Sequence, residues 1–196
     1  MSKSPRVIAF AGDVCIAAGD LSCVALAAQK AVASSRHDPV LLFDAQTSEP
    51  VEVDLRGSRD DMLRRLPPAS ASEPETPRGP GRPKLGVVPR EVTLLPRHWD
   101  WLGSQPGGAS VALRKLVENA MRANAGRDRI RASQNAAYKF MSVMAGNRPG
   151  FEDAARALFA ADGRKFNRLI SAWPKDIRDH VRTLAADALS AEESAA

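Results

Sequence analysis

The chain has 196 residues, 44% of them hydrophobic but only 5% aromatic, enough for one large or two small domains whose cores are mainly Ala, Leu and Val. Its formal charge of +5 is uneven: residues 1–77 carry a net −3, residues 78–131 a net +7 from 11 basic and 4 acidic side chains, and residues 132–196 a net +1. No apolar run reaches the length of a membrane span, residues 1–6 are too short and polar for a signal peptide, and Cys15 and Cys23 have no His at metal-ligand spacing, so a cytoplasmic protein with buried, reduced thiols and no metal is expected.

Residues 6–10 (RVIAF) run into the turn residues Ala11, Gly12 and Asp13, which predicts a strand with its hairpin partner at 14–17. Asp20 precedes LSCVALAAQKAVAS, an Ala-rich stretch with few charges, so a helix capped by Asp20 and packed on a sheet is expected. Residues 40–44 and 51–55 read as a second strand pair joined by the polar 45–50 connection. Together these make a small ββαββ unit over residues 1–66, ending in a helical turn or two at 59–66. Asp44, Glu52 and Asp54 are the carboxylates that could pair for acid–base work, but alternation with Val51, Val53 and Leu55 places Glu52 and Asp54 on a solvent face. Gly12 and Gly19 form no GxGxxG fingerprint, and no triad, metal set or carboxylate pair appears elsewhere. The protein is expected to be non-enzymatic and without a cofactor.

Residues 67–83 combine prolines with Ser, Ala, Glu and Gly, a composition that cannot close a core and reads as a flexible linker. Its end, Arg78-Gly79-Pro80-Gly81-Arg82-Pro83-Lys84, resembles the Gly-Arg-Pro core of an AT-hook, with Pro80 standing where that core has Arg. The resemblance implies an arm in which Arg78, Arg82 and Lys84 meet duplex DNA, A·T-rich duplex in particular, whose narrow minor groove attracts guanidinium. A simple basic linker is the other reading.

Residues 84–125 form a strand-helix-helix module. Val92 to Leu95 read as a short strand stopped by Pro96, a stubby helix follows near 97–105, and Gly107 and Gly108 separate it from an amphipathic helix opened by Ser110 as N-cap. Leu113, Leu116, Val117, Ala120 and Met121 recur at the spacing of one buried face, with Arg114, Lys115, Glu118, Asn119 and Arg122 opposite. If Val92 and Leu94 face the core, Glu91, Thr93 and Leu95 face outward. Leu95, Trp99 and Leu102 share a helical face suited to packing on the second helix, which leaves Trp101 pointing out.

After Gly126, helices are expected at 127–145, 150–160, 164–173 and 176–190, giving a helical domain over 126–190 and a disordered tail at 191–196. Its stripes are Phe151, Ala155, Leu158 and Phe159; then Phe166, Leu169, Ile170 and Trp173; then Ile177, Val181, Leu184 and Leu189. Tyr138 and His180 have no supporting constellation. The fold class is α+β.

The order of elements, with VTLLP before the first helix and GGAS opening the second, resembles a ribbon-helix-helix module, a class of bacterial DNA-binding domain. The resemblance implies that two chains pair their strands into a ribbon entering the major groove, while N–H groups at the start of the second helix hold a phosphate. Carried onto this chain, it makes Val92, Leu94, Leu95, Trp101 and Leu116 the dimer interface, places Thr93 toward the bases, and adds Arg90, Ser110 and Arg114 to the arm at the phosphates. The chain departs from the pattern in a first helix shorter by roughly one turn and in the adjacent Leu94 and Leu95. The GRPKLG, VTLLPRHWDWL, PGGASVALRKLV and WPKDIRDHV segments also resemble an uncharacterised bacterial family of unknown function. The expected protein is a homodimeric, DNA-binding transcriptional regulator; the alternative is a non-enzymatic interaction module that uses the strand-helix-helix element only to dimerise.

Overall fold

The N-terminal apolar run becomes β1, Arg6–Ala11, the central strand of a three-stranded antiparallel sheet ordered β2-β1-β3, with β2 at Val14–Asp20 and β3 at Val40–Asp44. The structure is a computed structural model and describes residues 6–34, 38–67, 86 and 88–190. The fold is α+β, as expected, with seven α-helices among the described residues. Most of the 67–83 linker, the arm residues Arg78, Arg82 and Lys84, and the 191–196 tail lie outside the described residues.

A strand apolar at consecutive positions must be covered on both faces, and β1 is. Val7 and Ala9 pack with Val24 and Ala28 of helix α1, Leu21–Ala33, whereas Ile8 and Phe10 pack with residues near the C-terminal end. The hairpin register slips at Ala9/Phe10, where Ala9 faces Ala17 but Phe10 faces Cys15, a β-bulge in β2. Asp20 is the N-cap of α1 as expected, but its side chain makes no capping bond, because the helix starts directly off the end of β2.

The expected fourth strand at 51–55 is not one. Contact with β3 stops at an isolated bridge between Phe43 and Pro50, made by Asp44 N donating to Glu49 O and Val51 N donating to Leu42 O, each at 2.9 Å. Side chains take over the backbone carbonyls that follow: Gln29 Nε2 donates to Leu55 O (3.0 Å) and Gly57 O (3.1 Å), and Arg65 Nη2 donates to Asp54 O (3.1 Å) and Arg56 O. The apolar alternation survives without a sheet, since Val51, Val53 and Leu55 pack on the α1 side while Glu52 and Asp54 stay exposed. Helix α2, Arg59–Arg65, follows, opened by a capping box between Ser58 and Asp61.

Helix α3 covers Pro96–Gly103, with Pro96 in the first turn where its missing N–H costs nothing. Helix α4 runs from Gly108 to Met144, 37 residues and about 55 Å at 1.5 Å per residue. The break expected at Gly126 is therefore absent. A glycine ends a helix when it takes a left-handed φ, and Gly126 does not; inside a helix it costs only about 1 kcal/mol relative to Ala, which its neighbours outweigh. Helices α5 (Phe151–Phe159), α6 (Gly163–Leu169, continued by a 3-10 turn at Ile170–Ala172) and α7 (Lys175–Leu189) complete the chain close to their expected bounds.

The chain divides into two compact units, one made of Met1–Ala71 and Arg129–Ala196, the other of Ser72–Asp128. In the first, Ile8, Phe10 and Phe43 share one core with Phe140, Leu158, Phe166, Ile170 and Trp173. Polar ties join the same segments. Arg148 Nη2 donates to both Asp13 oxygens (2.6 and 2.5 Å), Lys139 pairs with Glu49, and the Cys15 N–H donates to Asp176 Oδ2 (2.9 Å). Ser133 of α4 spans a helical step of α7, donating to Leu184 O (2.6 Å) and accepting from Ala188 N (3.1 Å).

Candidate nucleic-acid and dimer interface of the central unit

The second unit is described from Gly86 and Val88 onward. Residues 91–95 have no regular secondary structure and pair with no strand among the described residues, so the Val92 to Leu95 segment carries no ladder there. Leu95 turns at φ −68°, ψ 151° to cap α3, and its carbonyl accepts from His98 N at 2.9 Å. Gly107 and Gly108 then take left-handed φ values of 88° and 74°; a Cβ on Gly107 would sit 3.1 Å from Val111 Cβ, so glycine is required there on two counts. Because α4 starts at Gly108, Ser110 lies inside its first turn and is not the N-cap; its hydroxyl accepts from Arg114 Nη1 at 3.1 Å.

Burial in this unit is slight. Leu102 and Ala112 are its buried apolar side chains, and Leu94, Val111 and Leu113 are half-buried. Of the fourteen large apolar side chains left exposed among the described residues, eight fall between 88 and 121: Val88, Val92, Leu95, Trp99, Trp101, Leu116, Val117 and Met121, at 43–70% exposure. Two expectations are thereby corrected. Leu95 and Trp99 are not covered, Leu102 being the one residue of their face that is buried, and Leu116, Val117, Ala120 and Met121 are not buried. Their periodicity is real, but this unit supplies too little surface to cover it.

Arg90, Thr93, Arg97, Ser110, Arg114, Lys115 and Arg122 are all exposed. Arg122 Nη2 donates to Asn119 Oδ1 (2.9 Å), and no carboxylate pairs with Arg90, Arg97, Arg114, Lys115 or Arg122 among the described residues. Unneutralised guanidinium beside uncovered apolar surface can serve association and anion binding together. Of the expected site residues, the structure collects Arg90, Thr93, Ser110 and Arg114 with Val92, Leu94, Leu95, Trp101 and Leu116 on one unit.

Asp44 and Asp54, two of the three carboxylates considered for acid–base work, are occupied structurally. Asp44 Oδ1 accepts from Gln46 N, Thr47 N and Thr47 Oγ1; burial raises its pKa, but these bonds outweigh it and leave the pKa below the ordinary value. The Arg56 guanidinium and backbone hold Asp54 down to about 2, aided by Arg65. Burial, with Asp176 nearby, pushes the Cys15 thiol up, so it is a poor nucleophile; Cys23 is exposed on α1, not buried as its apolar neighbours imply. His180 has no constellation in the sequence because its company comes from distant segments: its ring centroid lies 4.6 Å from that of Phe140 and 5.9 Å from that of Phe10, and its buried Nε2 has no partner among the described residues. No described helix is long and apolar enough to cross a membrane.

A mixed α+β chain of two units, one built from both chain ends, is the class these elements define. The chain belongs to DUF2239, a family described as uncharacterised proteins conserved in bacteria, whose sequence model matches residues 6–185 and so runs from β1 into α7. No curated protein and no solved structure matches the chain.

Proposed function

We propose that this protein is a homodimeric DNA-binding regulator that works through a ribbon-helix-helix-like central unit. One observation supports this reading above others: among the described residues, the apolar face of α4 and the 91–95 segment are both left without a partner, within the residues that carry the net +7. A second copy answers both needs, because a two-fold axis can pair Val92 to Leu95 with itself and lay Leu116 against its equivalent. Trp101 and Leu94 belong to the same interface. Arg78, Arg82 and Lys84 form the arm on the phosphates or minor groove of duplex DNA, Arg90, Ser110 and Arg114 hold the backbone, and Thr93 faces the bases.

The test couples oligomeric state to binding. Light scattering on the full chain should return a dimer, and Leu116→Glu with Met121→Glu should return a monomer. Duplex affinity should fall steeply with salt, and Arg82→Ala with Lys84→Ala should lower the salt slope by about 2. A monomeric wild-type protein, or one that retains no duplex at low salt, overturns the reading. The exposed Leu95 and Trp101 favour one second reading, in which dimerisation serves a protein partner; capture of such a partner that survives nuclease treatment distinguishes it.

A further inference from the structure

The first unit carries a cationic face of its own. On α6, Arg164, Lys165 and Arg168 occupy positions i, i+1 and i+4, a single arc of the helix, while Phe166 and Ile170 point into the core. All three cations are exposed, and none meets a carboxylate among the described residues. Arg56, Arg64, Lys139, Arg148 and Arg156 of this unit each have an acidic partner, and Arg6, Lys30 and Arg59, which also have none among the described residues, stand singly on other elements. Helix α7 extends the face, since Arg182 Nε donates to Asn167 Oδ1 at 3.0 Å and so lies beside the same rim.

The nearby carboxylates do not cancel this charge. Asp162 caps α6 by accepting from Lys165 N (2.8 Å), and Asp176 accepts from the Cys15 N–H on β2. Asp179 is shared by Lys175 (3.2 Å), Arg178 (3.3 Å) and Arg182 (3.6 Å), one negative charge among three positive ones. Residues 162–182 thus hold six cations against three carboxylates.

We propose that this face is a second phosphate-contacting surface for a nucleic-acid duplex, distinct from the central unit. Two features choose the occupant. Arg164, Lys165, Arg168 and Arg182 are exposed and stand on two helices, α6 and α7, which suits a row of phosphates better than one small anion. The outward residues of α6 and the turn after it are Arg164, Lys165, Asn167, Arg168 and Ser171, with no large apolar anchor, whereas protein interfaces depend on such anchors and are poor in lysine. Duplex contacts are polar and positive, and arginine's planar fork matches phosphate oxygens.

The experiment uses the full chain and a labelled duplex of arbitrary sequence, read by fluorescence anisotropy across salt concentration. Arg164→Gln, Lys165→Gln and Arg168→Gln together should lower the salt slope by about 2–3 and weaken low-salt affinity at least tenfold, and Arg164→Lys with Arg168→Lys should keep most of the binding. In the wild-type chain, the duplex should shield Lys165 from acetylation, read by mass spectrometry, which needs no variant to fold. An unchanged slope or an unshielded Lys165 overturns the proposal, even where Arg90→Ala and Arg114→Ala weaken binding and so support the central unit. Loss with the α6 triple but not with the Arg90 and Arg114 pair sustains the α6 face and counts against the central one. Binding of polyglutamate that depends on the triple, without duplex binding, would assign the face to an acidic protein and overturn it.

Discussion

His180 sits on α7 edge-on to Phe140, with interplanar angles of 78° to Phe140 and 49° to Phe10. An imidazole wedged among phenyl rings loses water without gaining an ion partner, and burial pushes its pKa down to about 4 from the usual 6.5. The unfolded chain therefore takes up a proton near pH 6.5 that the folded chain refuses until about pH 4, so stability is full above that window and declines as pH falls through it. Discounted for the ring's partial exposure, the loss at about pH 4.5 relative to pH 7 should be about 1–2 kcal/mol. Thermal unfolding against pH should show this decline, and His180→Phe should flatten it between about pH 4.5 and 6.5. The lowered carboxylates Asp44, Asp54, Asp61 and Asp179 act at more acidic pH. A decline unchanged in the variant would assign the titration to another group. No spacing rule could have found this residue, because Phe10 and Phe140 reach it from β1 and α4. Asp54, in contrast, was readable as a solvent-facing group from alternation alone, although its partners Arg56 and Arg65 were not.

Periodicity located most elements; their ends depended on a few residues whose effect is not local. The Val51, Val53 and Leu55 alternation places the right side chains inward, yet the Gln29 and Arg65 side chains take the backbone carbonyls that follow, and no strand forms. The opposite error occurs at Gly126, where a residue that commonly stops helices is carried through by its neighbours. An added Cβ there meets nothing within 4 Å, and the backbone is not left-handed. Gly126→Ala should therefore stabilise α4 by about 0.5–1 kcal/mol, since alanine removes unfolded-state freedom at a compatible position. Helical signal in circular dichroism and the urea midpoint should both rise. A fall in the midpoint would mean that the chain turns at Gly126 and that 84–125 ends there, as the sequence implied. The candidate interface shows the same division: the stripe from Leu113 to Met121 is legible from spacing, but whether a stripe is covered depends on how much surface its own unit supplies.

At the scale of the molecule, segments 1–66 and 126–190 look like separate domains because linker composition, charge and element type all change between them. They fold as one unit because β1 is apolar on both faces and α1 can cover only one. The other face, with Ile8, Phe10 and Phe43, is closed by Phe140, Leu158, Phe166, Ile170 and Trp173, and Phe43 and Phe10 meet Phe140 with ring centroids 5.3 and 5.2 Å apart. Removing residues 129–190 would return those three side chains to water, a loss of about 1.5–3 kcal/mol each. The total of roughly 5–9 kcal/mol rivals the whole stability of a small domain, which at about sixty residues is marginal already. It would also free Arg148 and Lys139 from Asp13 and Glu49. An isolated 1–66 fragment should therefore lack cooperative thermal unfolding and give poorly dispersed amide NMR spectra, and adding a separately made 129–190 fragment should restore dispersion. A 1–66 fragment that folds cooperatively alone would mean that the face of Ile8 and Phe10 is dispensable, and that the two chain ends associate only as finished domains.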